Sequence, residues 1–416
     1  GKNRYFPDIL TEWVDNGNKV LYTSDENGFK NVYSYDINTG KTNQITSFTE
    51  DIANAEVTKF NGKDYLVANT KNPIENTLYL INPISGEIVS SSKYPYTMTF
   101  LDLDEDKLMV SLNSATTMFR IDEFKLSDNG FAEKTIADLP QKLKDQVIDA
   151  DVERLEIPTF DIEPKTGEKR LLHAFLYKPK NPLPKDKQRV MIQSFYGGEN
   201  KYNVREHILT SAGIYVLSPS PRGSDGFGKD FFALNDKDLG GNEILDIIEV
   251  AKYISKKLDI PAERIGVFGG SQGGYATMRL LTFPGEVNGI KDDFNFGFGI
   301  AHAGFSDIID FYYHCNIPDW VTLEAGDPIK DRDKLISRSP RYNAYDMEGR
   351  LLLTHGTNDS RVPIEGSLYM ADSLRKYHKS VTLQEYEGMG HHIEGLDANV
   401  RQYKTWFDFI QDKKKE

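Results

Sequence analysis

Residues 264–275 read Arg-Ile-Gly-Val-Phe-Gly-Gly-Ser-Gln-Gly-Gly-Tyr, in which a short apolar run leads directly into a serine flanked by glycines. The five residues from Gly269 to Gly273 match Gly-x-Ser-x-Gly, the nucleophile elbow, in which a serine at a tight strand-to-helix turn exposes its hydroxyl above a sheet. Glycines suit such a turn because neighbouring Cβ atoms would collide. The pattern makes Ser271 a candidate nucleophile. The alternative is a glycine-rich turn with an incidental serine.

Two later loops contain the acid and the base that a nucleophilic serine needs. A serine becomes reactive when an imidazole takes its proton, and a carboxylate must hold that imidazole in the right tautomer. Asp359 follows the apolar run Leu351-Leu352-Leu353, and His391 follows the run around Leu383. The order serine, acid, histidine is typical of α/β-hydrolases, with each residue on a loop after a strand.

Other residues compete for these roles. His392 is adjacent to His391, but neighbours on a loop point in different directions and only one can face the serine. His355 is expected to form structural hydrogen bonds, and His302 follows a strand at a position that could line the site. Asp346 precedes its strand, which is the wrong end for a triad.

Residues 1 to about 140 form short alternating runs separated by Asn, Asp and Gly turns, a pattern that predicts strands. Similar units start at Asn31, Thr77 and Met118, and the third includes a turn at Asp128-Asn129-Gly130. This spacing of slightly over 40 residues suits four-stranded propeller blades, with a plain antiparallel sandwich as the alternative. Three blades cannot close a ring, so we expect further blades upstream and interpret Gly1 as a cut end.

From about residue 150 strands alternate with helices, which predicts a largely parallel sheet. An opening hairpin is expected from 151–160 and 170–177, a strand over 294–300, a helix around Ile244 to Leu258, and a last helix over about 400–411. The predicted fold class is therefore α/β. An all-β, propeller-like partial domain at 1–145 precedes an α/β-hydrolase catalytic domain at 146–416.

Composition limits the partners. The net charge of −13 and the pI near 5.2 argue against nucleic acid or an anionic membrane as a partner. The single cysteine, Cys315, excludes an intrachain disulfide, and no apolar run approaches the length of a membrane span. The compartment stays open between cytoplasmic and periplasmic or secreted, and the oligomeric state is unknown.

No metal or cofactor is expected. Residues 223–229 fit the Gly-x-x-x-x-Gly-Lys pattern of a phosphate loop, but Asp230 stands where a serine or threonine should hold Mg²⁺. The pair His391-His392 does not form the His-Glu-x-x-His pattern of a zinc site.

Together these motifs resemble the catalytic signatures of the prolyl oligopeptidase family of serine peptidases. The resemblance covers about residues 150 to 416 and rests on GGSQGG at 269–274, HGTNDSRVP at 355–363, GMGH at 388–391, FYGG at 195–198 and PRGSDGFG at 221–228. In that family a β-propeller caps an α/β-hydrolase domain and restricts access to short peptides. It implies Ser271 as the nucleophile, His391 as general base and acid, and Asp359 as its orienting partner.

The resemblance also implies an oxyanion hole. The backbone N–H of Gln272 is the usual first donor, and the family uses the phenol of Tyr196 as the second. The alternative for Tyr196 is an aromatic ring packed over a Gly-Gly turn.

Substrate contacts are expected from Arg222, Arg361, Tyr312 and Tyr313, although an aromatic row is equally typical of a core. Arg361 replaces the asparagine of the dipeptidyl-peptidase branch, and residues 1–140 contain no Glu-Glu pair. Both departures weaken a dipeptidyl-peptidase assignment without excluding it.

The sequence as a whole predicts a serine peptidase that cleaves short peptides through an acyl-enzyme. A carboxylesterase with the same triad, acting on small acyl or sugar esters, is the first alternative. A non-catalytic protein whose propeller binds a partner is the second.

Overall fold

The computed structural model of the chain describes residues 10–127 and 130–412, which form two compact units. The first unit runs through Ile148 and also takes in Glu199–Arg205 and Ser224–Ala233. The second unit contains Asp149–Gly198, Glu206–Gly223 and the chain from Leu234 onward. The predicted domain boundary between residues 145 and 146 stays a prediction. In the turn predicted at 128–130, residues 128 and 129 lie outside the described residues.

The described part of the first unit contains three antiparallel sheets of four strands, each formed in sequence order. The strands are β1 (Thr11–Val14), β2 (Lys19–Ser24), β3 (Asn31–Asp36), β4 (Thr42–Gln44), β5 (Asp51–Phe60), β6 (Lys63–Lys71), β7 (Asn76–Ile81), β8 (Ile88–Tyr94), β9 (Thr97–Asp104), β10 (Lys107–Ser114), β11 (Thr117–Ser127) and β12 (Gly130–Asp138). A helix, α1 (Gln141–Val147), follows them.

These sheets confirm the propeller-like all-β domain. The three predicted repeat starts, Asn31, Thr77 and Met118, all fall in the third strand of their sheet. The repeat in the sequence therefore corresponds to one four-stranded sheet, as expected for blades and not for a two-sheet sandwich.

Strand β6 explains how neighbouring sheets of this unit stack. Its buried residues alternate between two hydrophobic clusters because successive side chains of a strand point to opposite faces. Leu66 and Ala68 join a cluster with residues of the first sheet such as Leu21. Tyr65 and Val67 join a cluster with residues of the third sheet. The middle sheet is thus buried on both faces, which is why β6 reads as a continuous buried run.

The second unit is built on one eight-stranded sheet in the order β13-β14-β16-β15-β17-β20-β21-β22. Its strands are β13 (Ala150–Ile162), β14 (Lys169–Pro179), β15 (Val190–Gln193), β16 (Tyr215–Pro219), β17 (Ile265–Gly270), β20 (Phe298–His302), β21 (Arg350–Gly356) and β22 (Ser380–Tyr386). The strands β18 (Glu286–Val287) and β19 (Ile290–Lys291) form a separate small hairpin. Six neighbouring strands of this sheet are parallel, namely β16, β15, β17, β20, β21 and β22. The other two, β13 and β14, are antiparallel and lie at one edge.

Helices connect the parallel strands. They are α2 (Val204–Ser211), α3 (Lys229–Phe232), α4 (Asn242–Leu258), α5 (Gln272–Leu281), α6 (Ile308–His314), α7 (Pro318–Glu324), α8 (Arg332–Arg338), α9 (Glu365–Lys376) and α10 (Leu396–Ile410). Short 3-10 segments lie at Asp15–Gly17, Lys185–Lys187, Ala233–Asn235, Ala262–Arg264 and Pro340–Asp346. No helix within 10–127 and 130–412 combines the length and the apolar character that a membrane crossing needs.

This architecture confirms the predicted α/β-hydrolase fold class and the hairpin of β13 and β14. Two predicted elements are shifted. The strand expected over 294–300 is β20. It begins at Phe298, which pairs with Gly266 of β17 as the first pair between the two strands. The last helix begins at Leu396, directly after Gly395, whose φ of 84° is a conformation that glycine adopts without strain.

We predict that Leu66→Ala destabilises the first unit by about 2–5 kcal/mol, since the leucine is fully buried and its loss leaves a cavity. Urea unfolding followed by circular dichroism measures the change. The matched control is Leu101→Ala in β9, where the side chain is 51% exposed and little change is expected. Equal effects of both substitutions would contradict the stacking of the middle sheet between its neighbours.

Candidate active site

Ser271 lies at the turn between β17 and α5. Its φ of 57° and ψ of −120° place a non-glycine residue in a strained region of backbone space. A Cβ at Gly269 would lie 2.4 Å from Ser194 Oγ and 2.5 Å from the backbone of Gly273, so this position requires glycine. The N–H of Ser271 donates to the carbonyl of His302 at 2.9 Å, which ties the turn to the end of β20. The sequence Gly-Gly-Ser-Gln-Gly-Gly thus forms a strand-to-helix elbow.

Asp359 and His391 lie on the loops that follow β21 and β22. His391 Nδ1 is 2.6 Å from Asp359 Oδ2. The other oxygen of the carboxylate, Oδ1, accepts the N–H groups of Arg361 at 2.9 Å and Val362 at 3.0 Å. The side chain of Asp359 is fully buried, whereas that of His391 is 17% exposed. The carboxylate is therefore fixed, and the imidazole it holds stays accessible from solvent.

His355 is a second imidazole on the same carboxylate. It is completely buried, its Nδ1 is 2.8 Å from Ser367 Oγ, and its Nε2 is 2.8 Å from the carbonyl of Val362. The same Nε2 lies 3.4 Å from Asp359 Oδ2. The structural hydrogen bonding expected of His355 is confirmed, and its partner is the acid loop itself.

These contacts set the charge of Asp359. Burial by itself would raise the pKa of the carboxyl, but hydrogen bonds from His355, His391 and the N–H of Val362 outweigh it. The pKa of Asp359 therefore lies well below its usual range. The carboxyl is ionised at neutral pH and can accept Nδ1–H of His391.

His302 faces this cluster from the end of β20. Its Nδ1 is 3.0 Å from Thr354 Oγ1. Burial of the ring, followed by the nearby charge of His355, lowers the pKa of His302 to about 4. His302 is therefore neutral at physiological pH. His392 packs edge-on against His391, with ring centroids 5.3 Å apart.

Tyr196 lies on the loop after β15 and has a φ of 61°. Its hydroxyl donates to Gln272 Oε1 at 3.1 Å, so the phenol is held against the first residue of α5. Although 60% of the residue is exposed, its hydroxyl end is desolvated. Desolvation, and after it the charge of Glu324, raises the pKa of Tyr196 to about 12, while the charge of Arg361 acts in the opposite direction. The phenol is thus a protonated donor.

Ser194 connects the Tyr196 loop to the elbow. Its Oγ donates to the carbonyl of Gly273 at 2.7 Å and accepts from Thr277 Oγ1 at 3.1 Å. This link could not be predicted, because a serine at the end of a strand has no sequence pattern of its own.

The four candidate substrate residues differ in their surroundings. The guanidinium of Arg222 is 2% exposed and bonds Asp246 at 2.7 and 2.8 Å and Asp161 at 3.0 Å. These contacts hold the Arg222 guanidinium in place, and its expected contact with a substrate stays a prediction. Arg361 is exposed, and its charge reaches the hydroxyl of Tyr196.

The aromatic row of α6 belongs largely to the core. Phe311 stacks on Phe305 at 4.1 Å, and Phe305 stacks on Tyr275 of α5 at 4.6 Å. Tyr312 packs partly against this cluster, while Tyr313 is 60% exposed. Of the two tyrosines only Tyr313 presents most of its surface to solvent.

Glu324 near the end of α7 was not anticipated. It is 9% exposed, accepts from Asn235 Nδ2 at 3.0 Å, and is the carboxylate whose charge acts on Tyr196. A glutamate within a helix is ordinary in sequence, so only the fold could bring it to notice.

The mostly parallel sheet, the elbow at Ser271 and the acid–histidine pair on the loops after β21 and β22 define the second unit as an α/β-hydrolase. Residues 200–416, which are more than half of the chain, match the prolyl oligopeptidase family (Peptidase_S9). The chain belongs to this family, and the resemblance drawn from its motifs is confirmed.

Relatives in the same family are peptidases by name. The chain is 27% identical over 260 residues to the uncharacterized peptidase YuxL of Bacillus subtilis. The aligned region covers 60% of this chain and 38% of the relative. It is 30% identical over 203 residues to dipeptidyl aminopeptidase BIII of Pseudoxanthomonas mexicana, covering 47% of this chain and 27% of the relative. The aligned regions are thus well under two thirds of either relative.

The fold is similar to that of dipeptidyl peptidase 4 of Porphyromonas gingivalis. The TM-score is 0.78 at 20% identity, with 97% of this chain and 55% of that chain covered. This likeness extends over both units and supports the fold assignment for the described residues.

We predict that lowering the pH from 6.5 to 4 is less favourable to the stability of the parent protein than to that of His302→Gln. The unfolded imidazole takes up its proton near pH 6.5 and the folded one near pH 4, so protonation in this window favours unfolding. Burial raises the pKa of Glu243 to about 7, which acts oppositely, so the difference between variant and parent is the informative quantity.

Urea midpoints measured at half-unit pH intervals test this prediction. The same substitution at the exposed His378 controls for the loss of an imidazole. Parallel pH profiles of the parent protein and His302→Gln would contradict a neutral, buried His302.

Proposed function

We propose that this chain carries the catalytic centre of a serine peptidase that acts through an acyl-enzyme on Ser271. The observation that carries the proposal is the 2.6 Å contact between His391 Nδ1 and Asp359 Oδ2, on loops that follow β21 and β22 of the sheet whose strand β17 leads into the strained serine elbow. Membership of the prolyl oligopeptidase family supports the same chemistry.

In the proposed reaction His391 acts first as base and then as acid. Its Nδ1–H donates to Asp359, which leaves Nε2 unprotonated and able to take the proton of Ser271 Oγ as that oxygen attacks the peptide carbonyl carbon. The tetrahedral intermediate collapses when Nε2–H passes its proton to the leaving amine, and the acyl group remains on Ser271. Water then repeats the sequence, so that the acid is released and the serine regains its proton.

The negative oxygen of the intermediate needs two donors. We assign them to the backbone N–H of Gln272 and the phenol of Tyr196. The raised pKa of Tyr196 supports this role, because a phenol must keep its proton to donate it. At rest the phenol donates to Gln272 Oε1, and substrate binding would redirect it to the carbonyl oxygen.

We propose short peptides as the substrates, in line with the family. The similarity to dipeptidyl aminopeptidase BIII makes a free amino terminus one candidate feature. A carboxylesterase remains the alternative, since the same residues would cleave an acyl ester.

A substrate panel separates these possibilities. It contains dipeptide anilides with free amino termini, N-acetylated amino-acid anilides, blocked tetrapeptide anilides and short-chain acyl esters, all tested with the purified protein. Hydrolysis of at least one peptide anilide class supports the peptidase. Rapid ester cleavage with every anilide inert would overturn it in favour of the esterase.

Replacement of Ser271 by alanine is expected to lower turnover of the preferred substrate by about a million-fold, because the covalent route is lost. Labelling by a fluorophosphonate should disappear with it. The control Ser211→Ala removes an exposed hydroxyl on α2 and should leave both measurements unchanged. Retained labelling of Ser271→Ala would exclude this serine as the nucleophile.

Replacement of Tyr196 by phenylalanine removes one oxyanion donor and keeps the ring. We expect kcat to fall by about 100- to 1000-fold with KM nearly unchanged, since the donor acts mainly in the transition state. Steady-state kinetics measure this, with Tyr377→Phe, another exposed tyrosine, as the control. Near-normal turnover would remove Tyr196 from the mechanism.

A further inference from the structure

A polar cavity lies in the second unit, between α5, α8 and the β18–β19 hairpin. Its volume is about 480 Å³, and its walls include Arg279, Arg338, Lys334, Asn288 and Ser337. None of these residues belongs to the proposed catalytic centre. The cavity therefore raises the question of which ligand its concentration of cationic and amide groups would accept.

Arg279 is the most unusual residue of this cavity. It is 1% exposed and is among the largest fully buried side chains of the described chain. Its Nε donates to the carbonyl of Gly240 at the long distance of 3.4 Å, and its Nη1 has no hydrogen-bond partner. Burial lowers the pKa of Arg279, but a guanidinium in a protein keeps its charge. Within residues 10–127 and 130–412, this buried cation has no counter-ion in contact.

The carboxylates nearest to Arg279 do not neutralise it. Glu243 accepts the N–H groups of Gly240 and of Gly241, so its oxygens serve its own loop. Asp346 is close enough for its charge to act on Arg279, yet within the described residues the two form no ion pair. An uncompensated buried charge costs several kcal/mol, so this arrangement is expected only where a ligand completes it.

Two further cations line the same cavity. Both Nη atoms of Arg338 already donate, and Nη2 forms an ion pair with Asp238 at 3.1 Å, so Arg338 contributes neither a free donor nor an unbalanced charge. Lys334 Nζ donates to the carbonyl of Lys237 at 2.9 Å, which leaves its charge unbalanced in that contact.

The acidic residues of the lining are at the exposed edge. Asp333 is exposed, and the side chain of Glu286 is 49% exposed and lies 3.8 Å from Lys291 Nζ. Water screens such surface charges strongly, whereas the buried Arg279 acts in a medium of low dielectric constant. The acids at the edge therefore compete weakly with Arg279 for a ligand.

We propose that this cavity binds a small oxyanion through the unpartnered Nη1 of Arg279, with Lys334 supplying additional positive charge. The planar guanidinium suits phosphate and carboxylate oxygens because it can donate two parallel hydrogen bonds. The chemical class is a phosphate group, carried either by inorganic phosphate or by a small phosphoester, for which the cavity has room.

The site would act on the helix that carries the elbow. Arg279 lies eight residues after Ser271 on α5, which corresponds to about 12 Å along the helix axis. Tyr275 on the same helix donates its hydroxyl to the carbonyl of Arg338 at 2.9 Å, which links α5 to α8. A bound anion would add a second link between these two helices and so stabilise the unit.

Titration calorimetry and thermal unfolding with inorganic phosphate test the proposal, with sodium chloride at matched ionic strength as the reference. We expect saturable one-to-one binding and a rise in Tm for the parent protein. Arg279→Met keeps much of the side-chain volume and should weaken phosphate binding by about ten-fold or more, since a charge-assisted contact is lost. Arg332→Met, on an exposed arginine of α8, should bind as the parent does.

Glycerol 3-phosphate forms a parallel arm. Tighter binding of the phosphoester than of phosphate identifies an organic ligand, and the reverse identifies the free ion. Either result supports the site provided that Arg279→Met weakens the binding by about ten-fold or more. No binding of either anion, or the same affinity in Arg279→Met and in the parent, would overturn the proposal.

A second pair of variants guards against a folding defect of Arg279→Met. Lys334→Glu reverses a charge at the cavity, whereas Lys330→Glu makes the same change in net charge at an exposed position outside the lining. Phosphate affinity should fall several-fold in the first and stay close to that of the parent in the second. Equal affinities in the two variants would contradict a site at this cavity.

Discussion

Two imidazole rings and two backbone amides converge on the carboxylate of Asp359, and the geometry of the site follows from that convergence. One oxygen fixes the loop through the amides of Arg361 and Val362. The other is shared between His391, which is accessible, and His355, which is buried. Because His355 also bonds the carbonyl of Val362, the acid loop is held from both sides, and His391 receives a partner that cannot rotate away.

Ser271 and Tyr196 are strained residues, and the hydroxyl of Ser194 links the loops that carry them. Ser271 and Tyr196 both have positive φ, a conformation that costs on the order of 1–3 kcal/mol per residue and persists only where the surroundings enforce it. Ser194 supplies part of that enforcement, because its hydroxyl bonds both Gly273 and Thr277 of α5. The loop of Tyr196 and the elbow of Ser271 are thus fixed relative to each other within one unit.

The sequence predicted the parts of the protein that local patterns encode. Repeat spacing predicted the four-stranded sheets, and glycine-rich motifs after apolar runs predicted which loops carry Ser271, Asp359 and His391. Whether those three residues act as a triad stays a proposal. Side chains whose role depends on a partner far along the chain could not be foreseen. The ion pairs of Arg222 to Asp246 and Asp161 are tertiary contacts with no signature in the local sequence.

The first unit is completed by segments that the chain reaches late. Glu199–Arg205 and Ser224–Ala233 belong to it, although the beginning of the second unit separates them from its strands. During synthesis the first unit can therefore gain all of its contacts only after residue 233 has been added to the chain. By then the residues of β13 to β16 have already been synthesised. The two units cannot mature strictly one after the other, and a genetic cut at any single position between them would leave one of them with a missing piece.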